Sequence, residues 1–295
     1  MSWRLLVTGV TGMLGQQITR RLEQREMDFV AACRQDAQAF QNMRPLFMDY
    51  SQPASLELAF RNIDVLFLLI PFSENMKAWA TNAIEAAQRA GVKLIVRTTA
   101  MRSDSRSPYL WLKMEGEIND LLDASGVPSI LIKTNSFMQN YERHYAEALR
   151  HGALYLPEGE GRTSFIDVGD LANVIADVLV NPFDFLGSHY VITGGRALSN
   201  AEAVSIFSLK ARRRISYVPI TEEVTRRALE KINTSPWWID FTLSRHRSIR
   251  DGLGKDVTST FQEITGRAPK TFEEFSEEFA EQLRWPEPSP DLGLR

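Results

Sequence analysis

Cysteine is almost missing from this 295-residue chain. Cys33 stands alone, so no disulfide can close within it, and a reducing cytosol suits such a composition. Histidine is scarce as well. His144, His151, His189 and His246 have no metal-ligand spacing and no cysteine cluster beside them, so no metal is expected. Long hydrophobic runs are absent. The longest, VLFLLIPF, falls far short of the roughly 20 residues that cross a bilayer. The apolar run between Arg4 and Thr8 is too short for a cleavable leader. A cytoplasmic protein without membrane association is expected. Charge of one sign is lacking too: the net value is -3, which offers no basic field to nucleic acid. The short run KARRRIS is too brief to change that reading. No repeat or low-complexity linker divides the chain.

What is present is ordinary globular composition, 44% hydrophobic and 24% charged. A chain of this length can bury a core without staples. Its apolar segments alternate in kind. RLLVTG, DFVAACR, RPLFMDY, DVLFLLIP, VKLIVRTTA and PSILIKT read as strands, the fourth apolar throughout as in a sheet covered on both faces. Between them lie helical stretches. One carries Leu14, Ile18 and Leu22 on one face; one follows Ser51 or Ser55 as cap; one stops at Gly91; one has Ser107 as cap and Pro108 in its first turn. The alternation predicts an α/β fold, a doubly wound parallel Rossmann sheet with right-handed crossovers. After about residue 135 the rhythm loosens, through SFIDVGDLANVIADVL, HYVITGG, ISYVPIT and PWWIDF. This predicts a binding domain over 1–150 and, over 151–295, a smaller α+β substrate lobe with some segments returning to the core. Asp167 and Asp170 read as a helix-start and lobe-anchoring pair.

The first strand ends in GVTGMLG, with glycines at 9, 12 and 15. A strand, a glycine-rich turn and a helix make an anion site, because small residues let backbone approach a pyrophosphate and the helix offers free N–H groups. Gly9, Thr11, Gly12, Met13, Leu14 and Gly15 are therefore candidate cofactor residues. The end of the second strand distinguishes cofactors: an acid there suits the ribose diol of NAD, an arginine the 2′-phosphate of NADP. Arg34 occupies that point and favours NADP(H), with Asp36 as the alternative ribose acid. Asp49, after the third strand, reads either as an adenine contact or as a cap. Leu69, Ile70 and Pro71 end the fourth strand, where they would flank the nucleoside.

TGVTGMLG resembles the TGxTGxxG turn of extended and atypical short-chain dehydrogenases/reductases, which implies NAD(P). That superfamily uses a Ser/Thr after the fifth strand and a Y-x-x-x-K on the next helix. Tyr109 and Lys113 match the second element, and their i, i+4 spacing puts them on one helix face. The resemblance implies Tyr109 as proton donor, Lys113 lowering its pKa and reaching the nicotinamide ribose, and Thr99 orienting substrate, with Thr98 as its neighbour candidate.

Over about residues 3–280 the chain is similar to the NmrA-like family. The similarity lies in ASGVPSILIKTNSFMQNY, SFIDVGDLANVIADVL, YVITGGRALSNAEA, ISYVPIT and EITGRAPKTFEEF. It departs from the family's pattern at Lys133 and Thr134, where Arg-Pro is usual, and at Thr99, where serine is. The resemblance implies either an NADPH-dependent reductase of a small conjugated carbonyl, quinone or imine, or a non-catalytic NADP(H) sensor. A cofactor-retaining lyase or isomerase is a third class. It also implies a substrate cover from Phe137, Met138, Asn140 and Tyr141. Phe72 and the tryptophans Trp237 and Trp238 are further candidate pocket walls. A small-molecule substrate and a monomer or homodimer are expected.

Overall fold

The computed structural model describes residues 3–34, 45–187 and 189–283. The first half runs β1 (Leu5–Thr8), α1 (Met13–Gln24), β2 (Phe29–Cys33), β3 (Leu46–Phe47), α2 (Pro53–Ala59), β4 (Val65–Leu68), α3 (Met76–Ala90), β5 (Leu94–Ala100), α4 (Leu110–Ala124) and β6 (Ser129–Thr134). The second continues with α5 (Gln139–His144), α6 (Ala146–Arg150), β7 (Ala153–Leu156), β8 (Arg162–Thr163), α7 (Val168–Val180), β9 (His189–Ile192) and β10 (Leu198–Ser199). It ends with α8 (Asn200–Lys210), β11 (Ser216–Pro219), α9 (Glu222–Lys231), α10 (Pro236–Arg250), α11 (Thr260–Thr265) and α12 (Phe272–Leu283).

Seven strands form one parallel sheet in the order β3-β2-β1-β4-β5-β6-β9. Side chains alternate between its faces because a strand has a period of two. Leu5, Val7, Val65, Phe67, Leu94, Val96, Ile130 and Ile132 enter one core with Ile18 and Leu22 of α1 and Leu171 and Ile175 of α7. Leu6, Leu66, Leu68, Ile95 and Leu131 enter the other, with Leu56, Ile84 and Ile118 from α2, α3 and α4. Helices on both faces explain why the strands read as nearly continuous apolar runs. The strand order reverses between β1 and β4, and that switch point opens a crevice beyond the strand ends.

The later segments divide. β9 joins the sheet beside β6, and α7 packs on α1. A third core gathers Tyr141, Leu149, Leu156, Phe165, Phe207, Phe272, Phe275 and Phe279 into a lobe of edge-to-face rings. Two small sheets, β7 with β11 and β8 with β10, belong to this half. Asp167 caps α7, accepting from the Gly169 and Asp170 N–H groups at 2.7 and 3.1 Å. Asp170 accepts from the Lys270 N–H at 2.6 Å and from Arg267, tying the chain's last segment to α7.

Several expected boundaries move. The third strand is only Leu46–Phe47, because Asp49 turns the chain by accepting from the Ser51 N–H at 2.8 Å. Gln52 rather than a serine precedes α2, with Pro53 in its first turn. Tyr109, not Ser107, stands at the start of α4; the Ser107 hydroxyl accepts from the Tyr109 N–H at 3.2 Å and makes a local turn instead. β9 ends at Ile192, where the Thr193 hydroxyl accepts from the Thr258 N–H at 3.0 Å.

On α9, Glu222 is clasped by Arg247 and Arg250 of α10 at 2.5 and 2.8 Å. The hydrogen bond from Arg247 is the main reason its pKa falls from 4.5 to about 2. A depressed carboxylate stabilises the fold above its unfolded pKa and loses that contribution as pH drops toward the folded value. The stability gap between the native protein and Glu222→Gln, measured by urea unfolding, is therefore expected to be full at neutral pH. It should shrink between pH 4.5 and about 2. A gap that stays constant across that window would show that the clasp is not titrating.

Candidate active site

The geometry starts at the end of β1. Gly9 has φ +69°, a left-handed conformation that a β-carbon resists, and an added Cβ would stand 2.8 Å from the Leu69 side chain. Its carbonyl accepts from the Gly12 N–H at 3.0 Å. At Gly15 the constraint is distance: a Cβ would lie 2.1 Å from the Gly9 carbonyl oxygen, so α1 begins directly on the turn. Gly12 precedes α1 with no side-chain cap, leaving the first N–H groups of the helix to a ligand. Across the switch point, the Thr8 hydroxyl donates to the Phe67 carbonyl at 2.9 Å and accepts from the Leu69 N–H at 2.8 Å. This pins the ends of β1 and β4 together.

A cavity of about 530 Å³ crosses these strand ends. It is lined by Gly9, Thr11, Gly12, Met13, Leu14 and Arg34 at one side, by Leu69, Ile70, Pro71 and Phe72 after β4, and by Thr98 and Thr99 at the end of β5. Phe137 and Asn140 line it after β6. Gly15 lies behind the turn and does not line it. Asp49 is absent from the wall; its carboxylate accepts from the Ser51 hydroxyl at 2.7 Å and from Gln52 at 3.4 Å. Those Ser51 bonds, more than the nearby Arg34 charge, hold its pKa low; they close a turn ahead of α2, whose start at Gln52 has no side-chain cap. Asp36 lies outside the described residues.

Four expected substrate contacts sit elsewhere. Met138 and Tyr141 are buried in the third core, with the Tyr141 hydroxyl donating to Asn200 at 2.7 Å. Helix α5 turns them inward, away from the cavity that Asn140 lines. Trp237 stacks on Phe241 at 5.2 Å and packs against the second core, and Trp238 meets it edge-on. Phe241 in turn touches the cavity residue Phe72 at 4.9 Å, so the tryptophans back the wall without forming it.

The tyrosine–lysine pair is also not brought to the cavity. Tyr109 donates its hydroxyl at 2.8 Å to Asp251, the residue that follows α10. That bond raises its pKa, the opposite of what a phenol poised for proton transfer requires. Lys113 is half exposed and pairs with Glu117 at 3.9 Å. Tyr109 precedes the first residue of α4 with extended backbone, and Lys113 stands on a face of α4 that does not line the cavity. The face that α4 presents to the cavity carries Trp111 and Glu115, four residues apart.

Sequence reasoning passed over Glu115 and its neighbours. Arg97, 1% exposed, donates to Glu115 at 2.5 Å and to Asn119 at 2.5 Å. The Thr99 hydroxyl donates to Glu115 at 2.9 Å and accepts from Asn119 at 3.2 Å. The signal was available: an arginine inside the apolar strand LIVRTTA must find a partner, and Glu115 and Asn119 sit i, i+4 on the next helix. Tyr50, Met48, Asn135, Ser136, Thr134 and Arg245 also line the cavity unforeseen. Tyr50 comes there because its hydroxyl reaches the Leu69 carbonyl at 3.1 Å.

A parallel sheet with a glycine turn on a helix start at its switch point defines a Rossmann-type dinucleotide-binding protein. The model of the NmrA-like family matches residues 1–276, and the chain belongs to that family. An NAD(P)H azoreductase of Xenophilus azovorans is 30% identical over 281 residues, 94% of this chain and 98% of that protein. Among solved structures, an NADPH-dependent quinone oxidoreductase from Escherichia coli, complexed with NADPH, superposes with TM-score 0.85 at 22% identity. The match covers 93% of this chain and 99% of that one. NmrA itself, described as a negative transcriptional regulator, superposes in its NAD complex with TM-score 0.75 at 13% identity, covering 95% and 96%. At these identities the two superpositions concern the fold.

Removing Glu115 would leave Arg97 charged, buried and missing its counterion. Glu115→Ala is expected to cost about 3–5 kcal/mol, whereas Thr99→Val, which deletes one hydroxyl, costs about 1 kcal/mol. Urea unfolding of the ligand-free variants measures both. Equal, small losses would mean that the pair contributes little.

Proposed function

We propose that this protein is an NADPH-dependent reductase that passes hydride to a small conjugated carbonyl, quinone or imine. One observation carries the reading: a single cavity joins the glycine turn and Arg34 at one end to an aromatic compartment of Phe72, Trp111 and Phe137 at the other. The residues present fit a dinucleotide. The Gly9–Gly15 approach and the uncapped start of α1 leave room and N–H donors for a pyrophosphate. Arg34, exposed where β2 ends, is placed to pair with a 2′-phosphate.

Bound NADPH would supply the hydride. Leu69, Ile70 and Pro71 would flank its nucleoside portions and exclude water from that stretch. Thr99 has committed its proton to Glu115 and accepts from Asn119, so it neither protonates a carbonyl oxygen nor donates to one, and its part is to fix Glu115 at the cavity wall. Tyr50 is similarly committed to Leu69, and burial keeps its pKa high. The proton would come from water at the polar edge formed by Asn135, Ser136 and Asn140. Tyr109 and Lys113 have no part in this scheme. Their distance from the cavity is also the observation that favours a second reading, a non-catalytic NADP(H) sensor.

Arg34→Glu is expected to weaken NADPH about tenfold or more, the scale of a charge-assisted phosphate contact, with little effect on NADH. Fluorescence titration of both nucleotides measures this, and equal affinity of the native protein for NADH and NADPH would refute the cofactor assignment. Turnover is tested by following NADPH absorbance across a panel of quinones, enones and imines. Oxidation with at least one acceptor, retained in Tyr109→Phe, is the expected result. Binding without oxidation across the panel would favour the sensor, and loss of activity in Tyr109→Phe would restore the tyrosine to the mechanism.

A further inference from the structure

Helix α10 carries three arginines with different fates. Arg247 and Arg250 are clasped by Glu222. Arg245 lines the cavity. It is partly buried, and among the described residues no carboxylate lies within ion-pair distance of it. It interacts with the hydroxyl of Tyr145, whose own burial favours the neutral phenol. The pKa of nearby His144 is lowered first by burial and then by the Arg245 charge, which places the guanidinium close to α5. Among the described residues the one carboxylate that lines the cavity, Glu115, is already held by Arg97 and Thr99.

Arg245 also enters the cavity from a different side than Arg34. Arg34 follows β2, while Asn140 and the residues around Arg245 follow β6. Four strand spacings separate β2 from β6 in the sheet, which is about 19 Å. Arg34 thus approaches from the β2 side, and Arg245, through its Tyr145 contact, from the β6 side. Beside Arg245 stands an aromatic wall. Ser248 lies one turn along α10 and accepts from the Trp111 indole N–H at 3.0 Å, so Trp111 of α4 lies against the α10 face that carries Arg245. Phe72 and Phe137 complete the apolar lining. The position of α10 is set from behind: His246 Nδ1 meets the Glu158 carboxylate at 2.6 Å, and Asn200 donates to the same carboxylate at 2.5 Å.

We propose that Arg245 is the residue that determines substrate specificity, and that the acceptor is a flat conjugated molecule bearing an acidic group, carboxylate or sulfonate. The guanidinium would take the acid in a planar, charge-assisted pair while Trp111, Phe72 and Phe137 enclose the ring. This deepens the reductase reading and rests on it for the word substrate, so its test is made by binding and is independent of turnover. Calorimetry would compare 2-naphthalenesulfonate with the neutral 2-naphthamide on the NADP⁺-loaded protein, in the native chain, Arg245→Gln and Arg245→Lys. An NADPH titration of each variant shows that it is folded. The sulfonate is expected to bind the native protein more tightly than the amide and to lose about tenfold or more in Arg245→Gln. Arg245→Lys should recover part of that loss, and the amide should be unaffected throughout. Equal affinity for acid and amide in the native protein, or an equal loss of both in Arg245→Gln, would overturn the proposal. A sulfonate that binds as expected, with no acceptor reduced in the panel above, would leave an acid-binding sensor and refute only the reductase.

Discussion

Helix α1 rests on the backbone of the Gly9 turn with no room for a methyl group between Gly15 and the Gly9 carbonyl. That contact fixes where the helix starts and therefore where its unpaired N–H groups lie. Those donors lie beside the switch point, where Thr8 ties the ends of β1 and β4 together. From there the constraints spread outward. α7 packs on α1, and Asp170 of α7 holds the Arg267–Lys270 segment. A bulkier residue at position 15 would lift α1 and disturb both the anion site and the helix pair that covers this face of the sheet.

The other half of the site depends on α10. Phe241 enters the core beneath α2–α4, Arg245 reaches the cavity, and His246 enters the polar cluster of the lobe. Consecutive residues therefore face the cavity and the lobe interior. The buried chain from Tyr141 through Asn200 and Glu158 to His246 joins α5, α8 and α10 by hydrogen bonds. Any shift of the lobe would carry Arg245 with it. The glycine-turn end of the cavity rests on the sheet, and the Arg245 end rests on a helix that the lobe positions.

Much of this was legible from residue order. Glycine spacing after an apolar run marked the turn, because only small residues permit the close approach. Alternation of apolar runs with helical periodicity marked the sheet. Asp167 and Asp170 were readable as anchors. Arg34 was placed by counting to the end of a strand. The failures share one cause. Tyr109 and Lys113 were read as one face of a helix, but Tyr109 precedes α4, and spacing along a helix does not say which face meets the cavity. Met138 and Tyr141 were misplaced for the same reason, since one short helix points Asn140 outward to the cavity and Tyr141 into the lobe.

The sequence alone thus determined what local chemistry dictates: the strand–turn–helix that can hold a pyrophosphate, the parallel sheet, and a cation where a 2′-phosphate would lie. Tertiary structure decided which side chains share the cavity. The rotation of α4 brought Trp111 and Glu115 inward and left Tyr109 with Asp251. The return of α10, more than a hundred residues later, brought Arg245 to the same wall. Both outcomes follow from packing between elements distant in the chain, where burial of Arg97 demands Glu115 and burial of Phe241 sets α10. Periodicity along one element carries no information about such contacts.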